Sequence, residues 1–547
     1  MTPWAHLPAL PIVLPLVTGA ALLLFPESQR RVRESIALLS TLAQLAVALG
    51  LMWLTTDAVP HVWHQGIGVY PISAWPAPYG IVLVVDRLSA LMVALSAILA
   101  LPALLYSVAR WERVGVHYLP LSQFLLMGLN GAFLTGDLFN LFVFFEVLLA
   151  ASYGLMLHGS GPARVKAGLQ YIVVNLVASL LFLTGLALIY GIAGTLNMAD
   201  LSVRWSTIAA TDRGLFDAGV AIMAIAFLVK AGTWPLNFWL PPAYAAAGAP
   251  VAAVFSIMTK VGVYAVLRLS VLLGDAAAPA PLAGEWLYYG GLATLVFGIV
   301  GLVGSQQLSR LIGFVVIVSS GTLLAAVGSG AQNLTAPALF YMVSSVLATG
   351  AFFMLNGMTE RTRTGSVTDM ADVAPMPAVS YRAFDIDEPG DSYSREEEVG
   401  VAIPAAMAFL GLAFVFCVLL VTGLPPLSGF VGKFALLSSI VQAMNTGELP
   451  PTSWALLVAV LAGGLAGLIA LSRIGIRLFW SSTERTTPRL RFIEAGPVAF
   501  LLLLTMALTA YAGPMMNYLQ SAAQTLHDPQ MYIEAVLAQP AAAVGLP

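Results

Sequence analysis

The stretch Phe227-Leu-Val-Lys-Ala-Gly-Thr-Trp-Pro235 closes an apolar run that begins at Val220, and it places Lys230 where a membrane-spanning helix has to break. Pro235 has no N–H, so the carbonyl of Ala231 is expected to lose its helical partner. Non-helical backbone at such depth is tolerated only where it lines protein or water. Lys230 is therefore expected in polar company inside a helical bundle. A second stretch, Gly423-Leu-Pro-Pro-Leu-Ser-Gly-Phe-Val-Gly-Lys433, repeats the theme, with Pro425 and Pro426 just ahead of Lys433. Two interrupted spans, each with a lysine, point to an internal duplication and a transport site at the breaks. No clean sequence identity links the two halves.

Working outward, the composition fits lipid rather than water. Of 547 residues 59% are hydrophobic and only 9% charged, and the mean hydropathy is +0.88. A water-soluble surface needs roughly a quarter charged residues. Net charge is −3, so no basic field attracts nucleic acid. Cys417 is the only cysteine and reads as an inert packed thiol. There is no Cys/His cluster with metal-ligand spacing. His61 and His64 read as part of an exposed loop rather than a metal site. No phosphate loop, dinucleotide fingerprint, nucleophile elbow or haem-ligand pair is present, so no cofactor is expected. The start of the chain lacks the basic residues of a signal peptide, and the apolar run from Leu7 reads as a retained first helix.

A crossing takes roughly 20 apolar residues, which predicts an all-α polytopic membrane protein with fourteen spans. They lie near 7–25, 35–55, 83–107, 118–135, 138–157, 168–191, 216–238, 244–270, 286–304, 309–328, 336–357, 401–444, 453–480 and 495–513. The stretch 401–444 reads as one crossing made of two half-helices. The loops test this count. With both termini outside, the inner loops hold thirteen basic residues: Arg30, Arg31, Arg33, Arg110, Arg113, Arg164, Lys166, Arg310, Arg473, Arg477, Arg485, Arg489 and Arg491. The outer loops hold Arg204 and Arg213, the asymmetry expected of a cytoplasmic side. One loop, 359–399, carries ten acids against four arginines and reads as a polar cytoplasmic segment, either a solvated insertion or a docking surface. The tail after Pro514 reads as a short surface helix or disorder.

An ionisable side chain at mid-bilayer costs about 2.5–3.5 kcal/mol or more, so its presence needs a reason. Glu146, Lys230, Lys260 and Lys433 meet that description. Arg268, Arg87 and Asp86 lie at span ends, where snorkelling accounts for them; a glutamate stem such as that of Glu146 is too short for it. An ammonium in a low dielectric sheds its proton more readily, and a neighbouring carboxylate reverses that bias. A Glu146–Lys230 pair would thus be a two-state element, with Lys260 and Lys433 as further stations.

The strings Asp86-Arg-Leu-Ser-Ala, Phe142-Val-Phe-Phe-Glu146-Val, Leu228-Val-Lys230-Ala-Gly-Thr-Trp-Pro, Thr259-Lys260-Val-Gly-Val-Tyr-Ala-Val-Leu-Arg268 and Gly423-Leu-Pro-Pro carry a further signal in their order. Together they resemble the antiporter-like subunits shared by respiratory complex I and the multi-subunit Mrp (Pha/Mnh) cation/proton antiporters, over nearly the whole chain. The resemblance implies fourteen helices with two inverted five-helix repeats, 116–272 and 286–481, between three N-terminal helices (1–115) and a last helix with tail (482–547). It implies broken helices 7 and 12, and a Glu146–Lys230 pair followed by Lys260 and Lys433.

One segment departs from that family. Its eleventh helix commonly carries a His and a Lys, whereas here Phe340-Tyr-Met-Val-Ser344-Ser345-Val-Leu-Ala-Thr349-Gly offers Ser344 and Thr349. Hydroxyls hold water but cannot store charge. The departure favours the D-type subunit of an Mrp antiporter in a bacterial inner membrane, exchanging protons for Na⁺ or K⁺ within a hetero-oligomer. The alternative is a proton-pumping membrane-arm subunit of a complex I-like oxidoreductase or membrane-bound hydrogenase.

Overall fold

The computed structural model describes residues 3–56, 63–73, 75–109, 111, 117–274, 282, 284–368, 405–479 and 490–538. Most of the acidic 359–399 loop, together with His61, lies outside them. Nearly everything described is helix. The chain opens with α1 (Leu10–Leu24) and α2 (Arg30–Leu54). A short antiparallel hairpin follows, β1 (Gly68–Pro71) against β2 (Val82–Val85), with Gly68 opposite Val85. Then come α3 (Arg87–Val108), α4 (Tyr118–Leu134), α5 (Leu138–Leu157), α6 (Pro162–Ala193), α7 (Met198–Trp205), α8 (Ala210–Ala231), α9 (Leu240–Ala246) and α10 (Ala249–Leu272). The second half holds α11 (Glu285–Gly304), α12 (Leu308–Gly328), α13 (Thr335–Thr368), α14 (Ala405–Thr422), α15 (Ser428–Asn445) and α16 (Trp454–Phe479). The chain closes with α17 (Phe492–Ala510), α18 (Ala512–Leu526) and α19 (Pro529–Leu537).

Thirteen of the described helices are long and apolar enough to cross a membrane. The remaining expected span, 118–135, is the shorter apolar helix α4. α3, α10, α12 and the part of α13 up to Glu360 form the centre, and most of their apolar stretch is buried. The outer helices keep one apolar face open: Leu176, Val177 and Leu180 on α6, and Leu461, Leu465 and Ile469 on α16, are each more than half exposed. In water such stripes would be an aggregation hazard; against lipid tails they are the solvent-facing side.

Both expected breaks are present, and a glycine makes each. Gly232 ends α8 at φ 73°, and the N–H of Thr233 reaches back 3.0 Å to the Leu228 carbonyl. Gly423 ends α14 at φ 77°, and the N–H of Leu424 reaches back 3.0 Å to the Leu419 carbonyl. Only glycine adopts this left-handed C-cap without penalty. Pro235, Pro425 and Pro426 follow in the loops and keep the helices from resuming. The missing N–H of Pro235 is thus not what ends α8.

As far as Ala538 the tail is helical, in keeping with the surface-helix reading: α18 and α19 bury Leu519, Ala523, Leu526, Tyr532 and Val536 and leave Gln520, Gln524 and Glu534 exposed. One expectation is corrected beside them. Arg268 does not snorkel. It is buried, pairs through both guanidinium nitrogens with Asp86, and has the Tyr532 ring 5.5 Å away. α18 seals the site from the side, because Tyr518 donates to the Arg87 carbonyl at 2.9 Å and Arg87 donates to Thr525 Oγ1 at 2.9 Å. Covered in this way, a charge at a span end cannot reach water and takes an internal partner instead.

Candidate functional site

The four mid-span charges sit on α5, α8, α10 and α15; α8 packs against α10, and α15 reaches α10 through α13. Glu146 is on α5 and is half-buried; next to it in sequence, Phe145 meets Phe182 edge-on, and Phe182 meets Phe227 likewise, ring centroids 5.6 and 5.0 Å apart. Its Oε1 is buried without a hydrogen-bond partner, an arrangement that native interiors rarely leave without a function or a water. Lys230 is the penultimate residue of α8 and is 5% exposed. Its Nζ donates to Asn175 Oδ1 on α6 at 2.7 Å and lies 6.0 Å from the Phe145 ring centroid. Asn175 is held in turn by its own Nδ2, which donates to the Tyr171 carbonyl at 2.7 Å.

No ion pair joins Glu146 and Lys230 among the described residues. The hydrogen-bond acceptor of Lys230 is an amide oxygen, that of Asn175, which the sequence does not single out. A lone asparagine in an apolar helix resembles a residue bonded to its own preceding turn, and here its Nδ2 does just that.

α8 and α10 approach at Gly262, where a Cβ would come within 2.5 Å of the Phe227 carbonyl and 3.1 Å of Lys230 Cβ. That closeness sets Lys230 beside the helix that carries Lys260. Lys260 is 1% exposed, and its Nζ donates to Ser320 Oγ on α12 at 3.2 Å. Next along α12, Ser319 accepts from Ser345 Oγ of α13 at 2.8 Å. Ser344 Oγ shares a 2.8 Å hydrogen bond with Ser428 Oγ at the start of α15. Thr349 is buried but turns inward on its own helix, donating to the Ser345 carbonyl at 2.7 Å.

Lys433, on α15, crosses back over the break. Its Nζ donates to the carbonyls of Val421 and Thr422 at 3.0 and 2.9 Å. These are among the last carbonyls of α14, which have no intrahelical donor and carry the negative end of the helix dipole. The stem of Lys433 packs on Gly423, where a Cβ would sit 2.5 Å from Lys433 Cδ.

Three buried lysines, Lys230 on α8, Lys260 on α10 and Lys433 on α15, thus each donate to an uncharged amide, hydroxyl or carbonyl oxygen. The family pattern described as "NADH:quinone oxidoreductase/Mrp antiporter, TM" matches residues 135–384. The D-type subunit of a probable K(+)/H(+) antiporter from Rhizobium meliloti (strain 1021) is 52% identical over 552 residues, covering 99% of each chain. This chain belongs to the NADH:quinone oxidoreductase/Mrp antiporter membrane-subunit family, among its D-type antiporter subunits. The corresponding D-type subunit of the Na(+)/H(+) antiporter from Alkalihalophilus pseudofirmus is 33% identical over 539 residues, covering 97% of this chain and 99% of that one. Among solved structures, a chain of the Mrp complex from Dietzia sp. DQ12-45-1b superposes with a TM-score of 0.78 at 25% identity, covering 98% of this chain and 100% of that one. The chain is a multi-pass antiporter subunit, a transport component rather than an enzyme.

Proposed function

We propose that this subunit carries protons in exchange for a monovalent cation, along Glu146, Lys230, Lys260 and Lys433. The observation that carries the reading is that three lysines, each with the Nζ held by an uncharged oxygen, lie buried in one lipid-embedded core. An ammonium solvated by amide, hydroxyl and carbonyl oxygens rather than by a carboxylate can release its proton without breaking an ion pair. Lys230 takes the proton under the influence of Glu146. Lys260 receives it across the Gly262 contact, and Lys433 holds it against the end of α14.

The order of elements supports two related five-helix units, 116–272 and 286–481. Each contains a helix that stops at a glycine cap and resumes after a proline-containing loop. Basic loops at one end support a cytoplasmic placement of that end and external termini, in a bacterial inner membrane. The relatives named as antiporter subunits, and the Mrp complex, support assembly with other subunits. The Rhizobium relative, at 52% identity, is named for potassium, which favours K⁺ over Na⁺ as the exchanged ion.

Everted vesicles containing the whole complex test the reading. Adding K⁺ or Na⁺ without an electron donor should collapse a preset ΔpH, and Lys260→Ala should abolish the response. Proton movement elicited only by an electron donor would instead place the chain in a redox pump.

A further inference from the structure

A furrow between α11 and α16 is apolar along its walls and basic at one end. Val296, Val300 and Val303 on α11, and Leu465, Ile469 and Ile476 on α16, are each at least 47% exposed. The two helices meet beside these residues, where a Cβ on Gly463 would lie 3.6 Å from the Ile299 side chain. Small residues favour helix association in lipid, and those of α16 already face inward, Gly463 on Ile299 and Gly467 on Thr422. What α16 leaves open is bulky and branched, a wall for acyl chains rather than for another helix. Depth along α16 follows from Gly464, where a Cβ would stand 3.8 Å from Nζ of the mid-span Lys433. Arg473 comes nine residues later, about 13 Å along the axis, close to half of the roughly 30 Å hydrocarbon core. Arg473 thus stands at headgroup depth. Its Nη2 donates to the Val303 and Ser305 carbonyls, both at 2.8 Å, which pins the guanidinium over the end of α11 and leaves Nη1 to an anion. Arg477 follows one turn later. Arg310, exposed in the first turn of α12, lies one turn before Phe314, whose ring packs against Gly301 of α11. It flanks the same helix end from the other side. No Asp or Glu occurs in 286–330 or in 449–479, so these elements bring three positive charges and no acid to one place.

We infer that this furrow binds one anionic glycerophospholipid, with its phosphate on Arg473, Arg477 and Arg310 and its acyl chains along the open faces of α11 and α16. The inference rests on the membrane-spanning fold alone and stands apart from the relay reading. A guanidinium matches a phosphate with two parallel N–H bonds, and basic residues at headgroup depth attract anionic lipid. A zwitterionic headgroup presents the same phosphate with a cation attached, so it gains less from three arginines. A companion subunit seated here would need a carboxylate at headgroup depth, against a wall with no small-residue seam left. The bound lipid braces α16 against α11, and α16 is the helix whose Gly464 backs Lys433.

Photo-crosslinking in the whole complex tests the site. Ile469→benzoylphenylalanine puts a photoreactive ketone in the furrow, and the complex is reconstituted with labelled phosphatidylglycerol or labelled phosphatidylcholine. This subunit should capture phosphatidylglycerol about fivefold more than phosphatidylcholine, the scale of one or two headgroup charges. Adding Arg310→Gln and Arg477→Gln keeps the Arg473 bonds to α11 and should cut that capture by about tenfold, at unchanged subunit content. Excess glycerol 3-phosphate, which has the phosphate without the chains, should not compete. Equal capture of the two lipids, or capture that ignores the two arginine substitutions, overturns the site. Full competition by glycerol 3-phosphate overturns it in favour of a free anion, and capture of a companion subunit in place of lipid overturns it in favour of a subunit seam. Each of these outcomes leaves the proton relay to its own test.

Discussion

The ammonium of Lys230 donates to the amide oxygen of Asn175 across 2.7 Å, tying the end of α8 to the middle of α6. Asn175 is fully buried, so this oxygen is a fixed acceptor that never competes with bulk water. The bond holds the lysine near the Phe145 ring, outside any ion pair with Glu146.

Removing that acceptor should therefore impair transport. A hydrogen bond to a charged group contributes about 1.5–3 kcal/mol, so Asn175→Ala is expected to slow cation-driven ΔpH collapse by about tenfold. The effect of Glu146→Gln should depend on whether Asn175 is present, with a coupling of roughly 0.5 kcal/mol or more in a double-mutant cycle. Strict additivity would mean that the two residues hold Lys230 independently.

The Asp86–Arg268 pair makes a prediction about stability rather than rate. Asp86 caps α3 by accepting from Ser89 N at 2.8 Å, while its carboxylate also meets Arg268 from α10. Burial alone would raise the Asp86 pKa, but the Arg268 guanidinium and the Ser89 donors outweigh it and hold the carboxyl below its ordinary value. Asp86→Ala leaves a buried guanidinium uncompensated, at a cost of about 3–5 kcal/mol. The protein should be depleted from membranes, as read by immunoblot. Arg268→Lys alone should be depleted as well, because an ammonium cannot reproduce the two-pronged contact.

Substitutions at Lys433 separate a titrating group from a fixed charge. Arginine keeps a positive charge permanently and does not release a proton at working pH. Lys433→Arg is expected to lose exchange nearly as fully as Lys433→Ala, at unchanged subunit content. Full exchange by the arginine variant would make Lys433 a structural cation only.

The turn between α18 and α19 should respond to pH. His527 Nε2 shares a 2.9 Å hydrogen bond with Thr335 Oγ1 at the head of α13, and burial holds its pKa below the ordinary histidine value. With a depressed folded value, the docked tail resists protonation that the released tail accepts freely. Its stabilisation is therefore present above pH of about 6.5 and fades as pH falls below it. Hydrogen exchange over residues 519–537 should accelerate on acidification through that range. His527→Gln should remove the dependence.

Much of this architecture is legible in the sequence because lipid imposes one simple rule, a long apolar run for each helix. The run 138–157 coincides with α5 (Leu138–Leu157), and Gly232 and Gly423 mark the breaks as the glycine-proline stretches imply. Lys260 is visible because a charge in such a run is rare. What stays hidden depends on partners distant in the chain. Asn175, Ser319, Ser320 and Ser428 carry no signal of their own, since small polar residues are common in apolar helices. Arg268 reads as a residue at a span end because nothing in its neighbourhood announces that Tyr518 and Tyr532, some 250 residues later, cover it. The hairpin β1–β2 is hidden for a related reason: its strands are four residues each, too short for alternation to register.

Lys433 has a last consequence for mechanics. Its ammonium supplies the donors that two terminal carbonyls of α14 lack. The nitrogen, once deprotonated, has one fewer N–H and no positive charge to set against the helix dipole. If Lys433 is a station of the proposed relay, the proton it carries is also a backbone fastener, and unloading it loosens the joint at Gly423. Displacement of a proton would in this way be convertible into a change of hinge stiffness, a form of signal that a neighbouring subunit could feel without ever touching the proton.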